Sequence, residues 1–176
     1  MSDGLTNVVR TLYTEGRLAG ILGMGGGGGT SIATAAMRAL PIGVPKVMVS
    51  TVAGGDVAAF VGARDIIMLP SIVDVAGLNR FSRTIYANAA GAIVGMVTQA
   101  PAPVSDDKPL ITASMFGNTT ACVDHARNLL EGQGFEVLVF HATGAGGRTM
   151  ESLIADGFIT ANLDLTTTEL ADEVCG

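Results

Sequence analysis

Five consecutive glycines, Gly25, Gly26, Gly27, Gly28 and Gly29, separate an apolar run from a stretch of helical character. Ahead of them, residues 18–22 (LAGIL) read as a strand, with Gly23 and Met24 leading into the run. Behind them come Thr30 and Ser31, then residues 32–40 (IATAAMRAL), which read as a helix. Glycine lets the backbone turn tightly and approach a ligand closely. A helix that begins at such a turn offers unpaired N–H groups and a partial positive charge to an anion. The order strand, glycine run, Thr-Ser pair, helix therefore predicts a βα junction suited to phosphate.

The remainder of the chain repeats the alternation. Leu5, Val8, Val9 and Leu12 predict a first helix over residues 3–15, stopped at Gly16. Residues 46–51 (KVMVST) read as a strand apolar on both faces, as in a parallel sheet. A small polar turn follows, then a short helix from Asp56 to Gly62, a strand at 65–69 and a long Ala/Gly-rich helix at 79–97. Residues 100–109, with three prolines and two adjacent acids, read as a linker. Beyond them strands are expected at 110–115, 135–140 and 158–165. Helices are expected at 121–130, at 150–155 and from Thr166 onward. The fold class is α/β: Rossmann-like, three-layer parallel sheets in two lobes, with residues 1–99 in the first and 110–176 in the second.

Composition narrows the function classes. A net charge of −6, with no basic stripe interleaved with aromatics, argues against nucleic acid. Hydrophobic residues make up 48% of the 176, many of them small, which suits doubly covered sheets or a large interface. Residues 87–97 are apolar but too short to span a bilayer, so the expected setting is soluble and cytoplasmic. Cys122 and Cys175 lack metal-ligand spacing and read as reduced thiols.

Two phosphate patterns nearly fit. Gly23, Gly28 and Thr30 occupy P-loop positions, but Gly29 stands where the lysine belongs. Gly23, Gly25 and Gly28 match the dinucleotide fingerprint, yet Ser50 and Thr51 occupy the strand end where an acid would hold ribose. A closely packed glycine turn with no ligand is the competing reading. Strand ends in an open α/β sheet are where ligands bind. That adds Thr51, Gly54, Gly55 and Asp56 to the candidates, and Thr143, Gly144, Gly146, Gly147 and Arg148 at a second glycine-rich junction.

His141, Asp56 and Asp164 are the candidates for acid, base or metal-ligand roles, and Asp74 and Asp164 for a sugar hydroxyl or Mg²⁺. Capping and turn roles compete for each acid, and a loop-bonded histidine competes for His141. His125, three residues after Cys122 within a helix, reads as a surface or core histidine. No zinc-ligand cluster occurs in the sequence, and neither does a Gly-x-Ser-x-Gly elbow.

Longer runs carry a specific resemblance: residues 23–38 (GMGGGGGTSIATAAMR), 40–56 (LPIGVPKVMVSTVAGGD), 73–90 (VDVAGLNRFSRTIYANAA), 140–150 (FHATGAGGRTM) and 163–173 (LDLTTTELADE). Together they resemble a microbial family of uncharacterised proteins related to the tomato mosaic virus RNA-replication inhibitor of plants. The resemblance covers nearly the whole chain and implies two Rossmann-like lobes that bind ATP. In plants and some microbes the family also carries a TIM-barrel domain. Its members are usually longer, so the resemblance implies that the chain matches the middle of the two-lobe protein, with each lobe expected to be incomplete. The family commonly has a serine in the glycine run where Gly26 or Gly27 stands here.

The expected function is nucleotide binding, with ATP and Mg²⁺, through glycine-rich junctions at an inter-lobe cleft. A metabolic enzyme acting on a phosphorylated or nucleotide-activated small molecule is the alternative, as is a non-catalytic protein-binding or assembly module. The exposed edges of incomplete sheets would favour self-association, so a homo-oligomer is expected.

Overall fold

Hydrophobic alternation along one strand explains the first lobe. In strand β2 (Lys46–Ser50) every residue is buried. Met48 packs on one face against Met37 and Ile66, while Val47 and Val49 pack on the other against Ala89, Leu69 and Ile85. Side chains along a strand alternate between faces, so such a segment must be covered on both sides.

A computed structural model describes residues 2–99, 108–167 and 173–175. The chain divides into two units, Met1–Pro101 and Ala102–Gly176. Most of the expected linker, residues 100–107, lies outside the described residues, as do positions 168–172 of the expected last helix.

In the first unit β1 (Ile21–Gly25), β2 and β3 (Ile67–Pro70) form a parallel sheet in that order. Gly25 is level with Ser50, and Ser50 with Pro70, so these three residues end the strands side by side. Helix α1 (Ser2–Thr14) packs on α2 (Gly27–Arg38) through Val9, Ala36 and Leu40. The one-turn helix α3 (Ala58–Val61) follows β2, and α4 (Arg80–Thr98) covers the opposite face. A reciprocal cap starts α4: Asn79 Oδ1 accepts from the amides of Phe81 and Ser82, both at 2.9 Å, and Ser82 Oγ accepts from the Asn79 amide at 2.8 Å. Such a cap contributes about 1 kcal/mol.

Lys46 is fully buried at the amino end of β2. Its Nζ donates to the carbonyls of Pro41 and Val44 and to Asp65 Oδ1, at 2.7, 2.8 and 2.7 Å. Burial pushes the Asp65 carboxyl up, but the Lys46 hydrogen bond, the Gly43 amide and the Lys46 charge together hold it below the usual aspartate value. This lysine ties the start of β2 to the segment entering β3, at the opposite end of the strand from Ser50.

The second unit is built likewise. Strands β4 (Leu110–Met115), β5 (Glu136–His141) and β6 (Ala161–Leu163) form a parallel sheet in the order β5-β4-β6. Helices α5 (Thr120–Gly132) and α6 (Ala145–Ala155) complete it. Ile111, Ala113, Val123 and Val137 form its core. The two three-stranded parallel sheets with flanking helices are the α/β, Rossmann-like class the alternation predicts.

Several boundaries differ from the sequence expectation. Strand β1 spans Ile21–Gly25 rather than residues 18–22, because Gly23, Met24 and Gly25 continue the pairing with β2, and Gly23 lies close against Met48, Ala33 and Met37. A Cβ on Gly23 would come 2.9 Å from Met48 Sδ. The glycine run is therefore not a loop. Gly25 ends the strand, Gly26 is the N-cap, and Gly27, Gly28 and Gly29 form the first turn of α2. The second glycine run behaves the same way: α6 begins at Ala145 rather than Met150. Strand β6 spans three residues, shorter than the 158–165 segment expected.

Candidate functional site

The carboxyl ends of β1, β2 and β3 define the candidate site of the first lobe. The first internal bond of α2 runs from the Thr30 amide to the Gly26 carbonyl at 2.8 Å, and no side chain caps the helix. The amides of Gly27, Gly28 and Gly29 precede that bond and lack intrahelical partners. All three residues are exposed.

Nothing in the fold requires glycine there. None of residues 26–29 has a positive φ. A Cβ on Gly27 or Gly28 would meet no atom within 4 Å, and those on Gly26 and Gly29 would sit at ordinary contact distances of 3.6 and 3.8 Å. Gly25 differs: its Cβ would approach Gly29 Cα at 3.0 Å, so it is glycine for packing.

Thr30 is fully buried, and its hydroxyl is 2.6 Å from Ser50 Oγ. Ser31, next along α2, is exposed. The Thr51 amide donates to the Gly25 carbonyl at 3.2 Å, and Thr51 Oγ1 is the atom nearest the Cβ position of Gly26. Gly54 and Gly55 form the turn after it, and Asp56 Oδ1 accepts from the Ala58 amide at 2.9 Å, a turn role.

Next to the glycines, a depression of about 450 Å³ lies over the ends of β2 and β3. Thr51 and Gly54 wall one side of it, and Pro70, Ser71, Ile72 and Asp74 the other. Ser71 is buried, and its amide donates to the Ser50 carbonyl at 3.0 Å while its hydroxyl donates to the Val73 carbonyl at 2.6 Å. That turn holds Ile72 at φ 65°, the one non-glycine residue with positive φ among the described residues. A β-branched residue is strained in that region.

In the second lobe, Ser114 at the end of β4 donates to Asp164 Oδ1 at 2.5 Å and accepts from the Thr166 amide at 2.9 Å. The Thr166 hydroxyl meets that of Thr119 at 2.6 Å. His141 ends β5, with its Nδ1 2.8 Å from Thr143 Oγ1 and its ring edge-on to Phe116 at a centroid distance of 5.3 Å. Gly144 has φ 73°, and a Cβ on Gly146 would fall 1.9 Å from the His141 carbonyl oxygen. The backbone therefore demands both glycines. Gly147 and Arg148 lie in the first turn of α6, with Arg148 exposed.

His125 lies on α5 with Cys122, which is exposed. Among the described residues no three His, Cys, Asp or Glu side chains converge as a metal site. No described helix is long and apolar enough to cross a membrane. Ser71 and Ile72, just beyond the strand expected at 65–69, were not among the sequence candidates. A small hydroxyl residue following a strand that ends in proline was the available signal.

Comparison with known proteins gives two family matches. Residues 1–102 match the N-terminal domain of the uncharacterised protein family UPF0261, and residues 108–176 match its C-terminal domain. A UPF0261 protein of Clostridium tetani is 53% identical over all of this chain and 44% of its own length. One from Mesorhizobium japonicum is 53% identical over 95% of this chain and 42% of its own. The ToMV resistance protein Tm-1(GCR237) of Solanum lycopersicum is 44% identical over the whole chain and 24% of its own length. The chain thus spans less than half the length of these relatives.

Proposed function

The chain belongs to the UPF0261 family, and we propose that its first lobe binds a nucleotide, ATP with Mg²⁺, by the phosphates at the start of α2. The amides of Gly27, Gly28 and Gly29, reinforced by the helix dipole, are the donors. The Ser31 hydroxyl and the exposed Thr51 flank them. Thr30 positions the turn from inside rather than touching the ligand.

One observation carries this reading. Gly27 and Gly28 occupy helical positions with ordinary φ and open space where a side chain would stand. Each glycine in a helix costs about 1 kcal/mol relative to alanine. The fold gains nothing from them, whereas a phosphate that must approach the backbone does. In the second glycine run φ accounts for Gly144 and packing for Gly146. This favours the first run as the phosphate site in our reading.

Calorimetric titration of the chain with ATP, with and without Mg²⁺, tests the proposal. Saturable heat that is weakened in a Gly27→Ala/Gly28→Ala variant supports it. No heat and no thermal shift at millimolar ATP sinks it.

A further inference from the structure

We infer that the depression beside the glycine run takes the sugar of a ribonucleoside phosphate, with the Asp74 carboxylate accepting from its vicinal hydroxyls and Ile72 as the apolar wall. This rests on the assignment of phosphate to the first turn of α2.

Spacing comes first. Gly25, Ser50 and Pro70 end adjacent strands at the same level. Neighbouring strands lie about 4.8 Å apart, so the start of α2 and the end of β3 are separated by about 10 Å. That span matches a ribose with one or two phosphates attached. Thr51 makes the surface continuous: it bonds the Gly25 carbonyl, neighbours Gly26 and lines the depression.

Charge then sets the direction. Asp74 is the charged residue among those lining the depression. A carboxylate repels phosphate and accepts from hydroxyls, whereas the glycine amides do the reverse. One Asp74 oxygen accepts from the Val75 amide at 2.8 Å, and the other makes no internal bond among the described residues. A phosphorylated diol can satisfy both ends in one orientation only.

The third observation is Ile72. The residue is 71% exposed, although it is large and apolar. A residue held at positive φ costs about 1–3 kcal/mol and persists only where its surroundings enforce it. Buried Ser71 does so, through its bonds to Ser50 and Val73 on either side. The result is an exposed apolar face that, with Pro70 and Val73, stands in the same depression as Thr51, Ser71 and Asp74, the mixed lining that a sugar or base requires.

The test compares three probes by calorimetry on the full chain: ATP, 2′,3′-dideoxy-ATP and tripolyphosphate. Wild type binds ATP about tenfold or more tightly than either of the others, the effect expected of hydrogen bonds to a charged group. Asp74→Asn weakens ATP by about tenfold, leaves tripolyphosphate unchanged or slightly tighter, and abolishes discrimination against the dideoxy analogue. Ile72→Gly, which relieves the strain, raises stability and weakens ATP but not tripolyphosphate. The inference is overturned if ATP and tripolyphosphate bind wild type equally, if Asp74→Asn strengthens both, or if it weakens both alike. Any of these leaves the phosphate assignment standing. If neither ATP nor tripolyphosphate binds, the phosphate assignment falls and takes the inference with it.

Discussion

The hydroxyls of Thr30 and Ser50 lie 2.6 Å apart, buried between the first turn of α2 and the end of β2. The Ser50 oxygen also accepts from the Val52 amide at 3.1 Å, and Thr30 Oγ1 reaches the Gly25 carbonyl at 3.5 Å. This one contact locks the glycine turn to the central strand and fixes the direction of its free amides.

Removing either hydroxyl leaves a buried polar partner behind. Thr30→Val or Ser50→Ala alone is expected to lower first-lobe stability by about 1–3 kcal/mol. The double variant is expected to lose less than the sum, because neither hydroxyl is left facing a missing partner, although the Val52 amide still loses its acceptor. Urea unfolding of the four proteins measures the coupling.

Glycine-to-alanine changes at the first run should separate stability from binding. Gly27→Ala and Gly28→Ala meet no clash, so each is expected to stabilise the lobe by about 0.5–1 kcal/mol. Both are expected to weaken ATP, because a methyl group then stands between the amides and the phosphate. Thermal melts and titrations on the same samples read both effects.

The same substitution at Gly146 should do the opposite. Its Cβ would collide with the His141 carbonyl, and overpacking of this kind costs about 1–3 kcal/mol or more. Gly146→Ala is expected to destabilise the second lobe and leave ATP affinity unchanged. Protease sensitivity of the second lobe, followed by titration, checks this.

The Lys46–Asp65 pair gives the first lobe a pH dependence. Burial raises the Asp65 pKa, but the Lys46 and Gly43 bonds more than offset it and leave it depressed. A depressed carboxylate contributes stability above its unfolded pKa and loses it as pH falls through its folded value. Asp65→Asn is therefore expected to be less stable than wild type at pH 7. The gap should narrow as pH drops below the ordinary aspartate value of about 3.9 and close below the folded value. Denaturant melts across pH 2–7 report the gap.

Where a strand has both faces covered, the sequence announces it. Residues 46–50 read as a strand because Val47, Met48 and Val49 put apolar side chains on both faces, and residues 110–115 read as one although Thr112 and Ser114 alternate with Ile111 and Ala113. Asn79 was legible as a helix start because its cap is local. The glycine run was legible as a βα junction but not as a helix turn, since glycine's low helix propensity hides a turn that tertiary contacts impose. The inward Thr30 hydroxyl depends on Ser50, twenty residues away, and no local pattern encodes it. The two glycine runs look alike in sequence. Only the positive φ of Gly144 and the crowding around the Gly146 α-carbon separate these two from Gly27 and Gly28.

The most direct test is a ¹H–¹⁵N NMR titration of the chain with ATP. The account predicts saturable downfield shifts of the Gly27, Gly28 and Gly29 amides, with smaller shifts at Thr51 and Asp74 and little change at residues 144–148. Shifts centred on residues 144–148, or none at Gly27, Gly28 and Gly29 under saturating ATP, would contradict it.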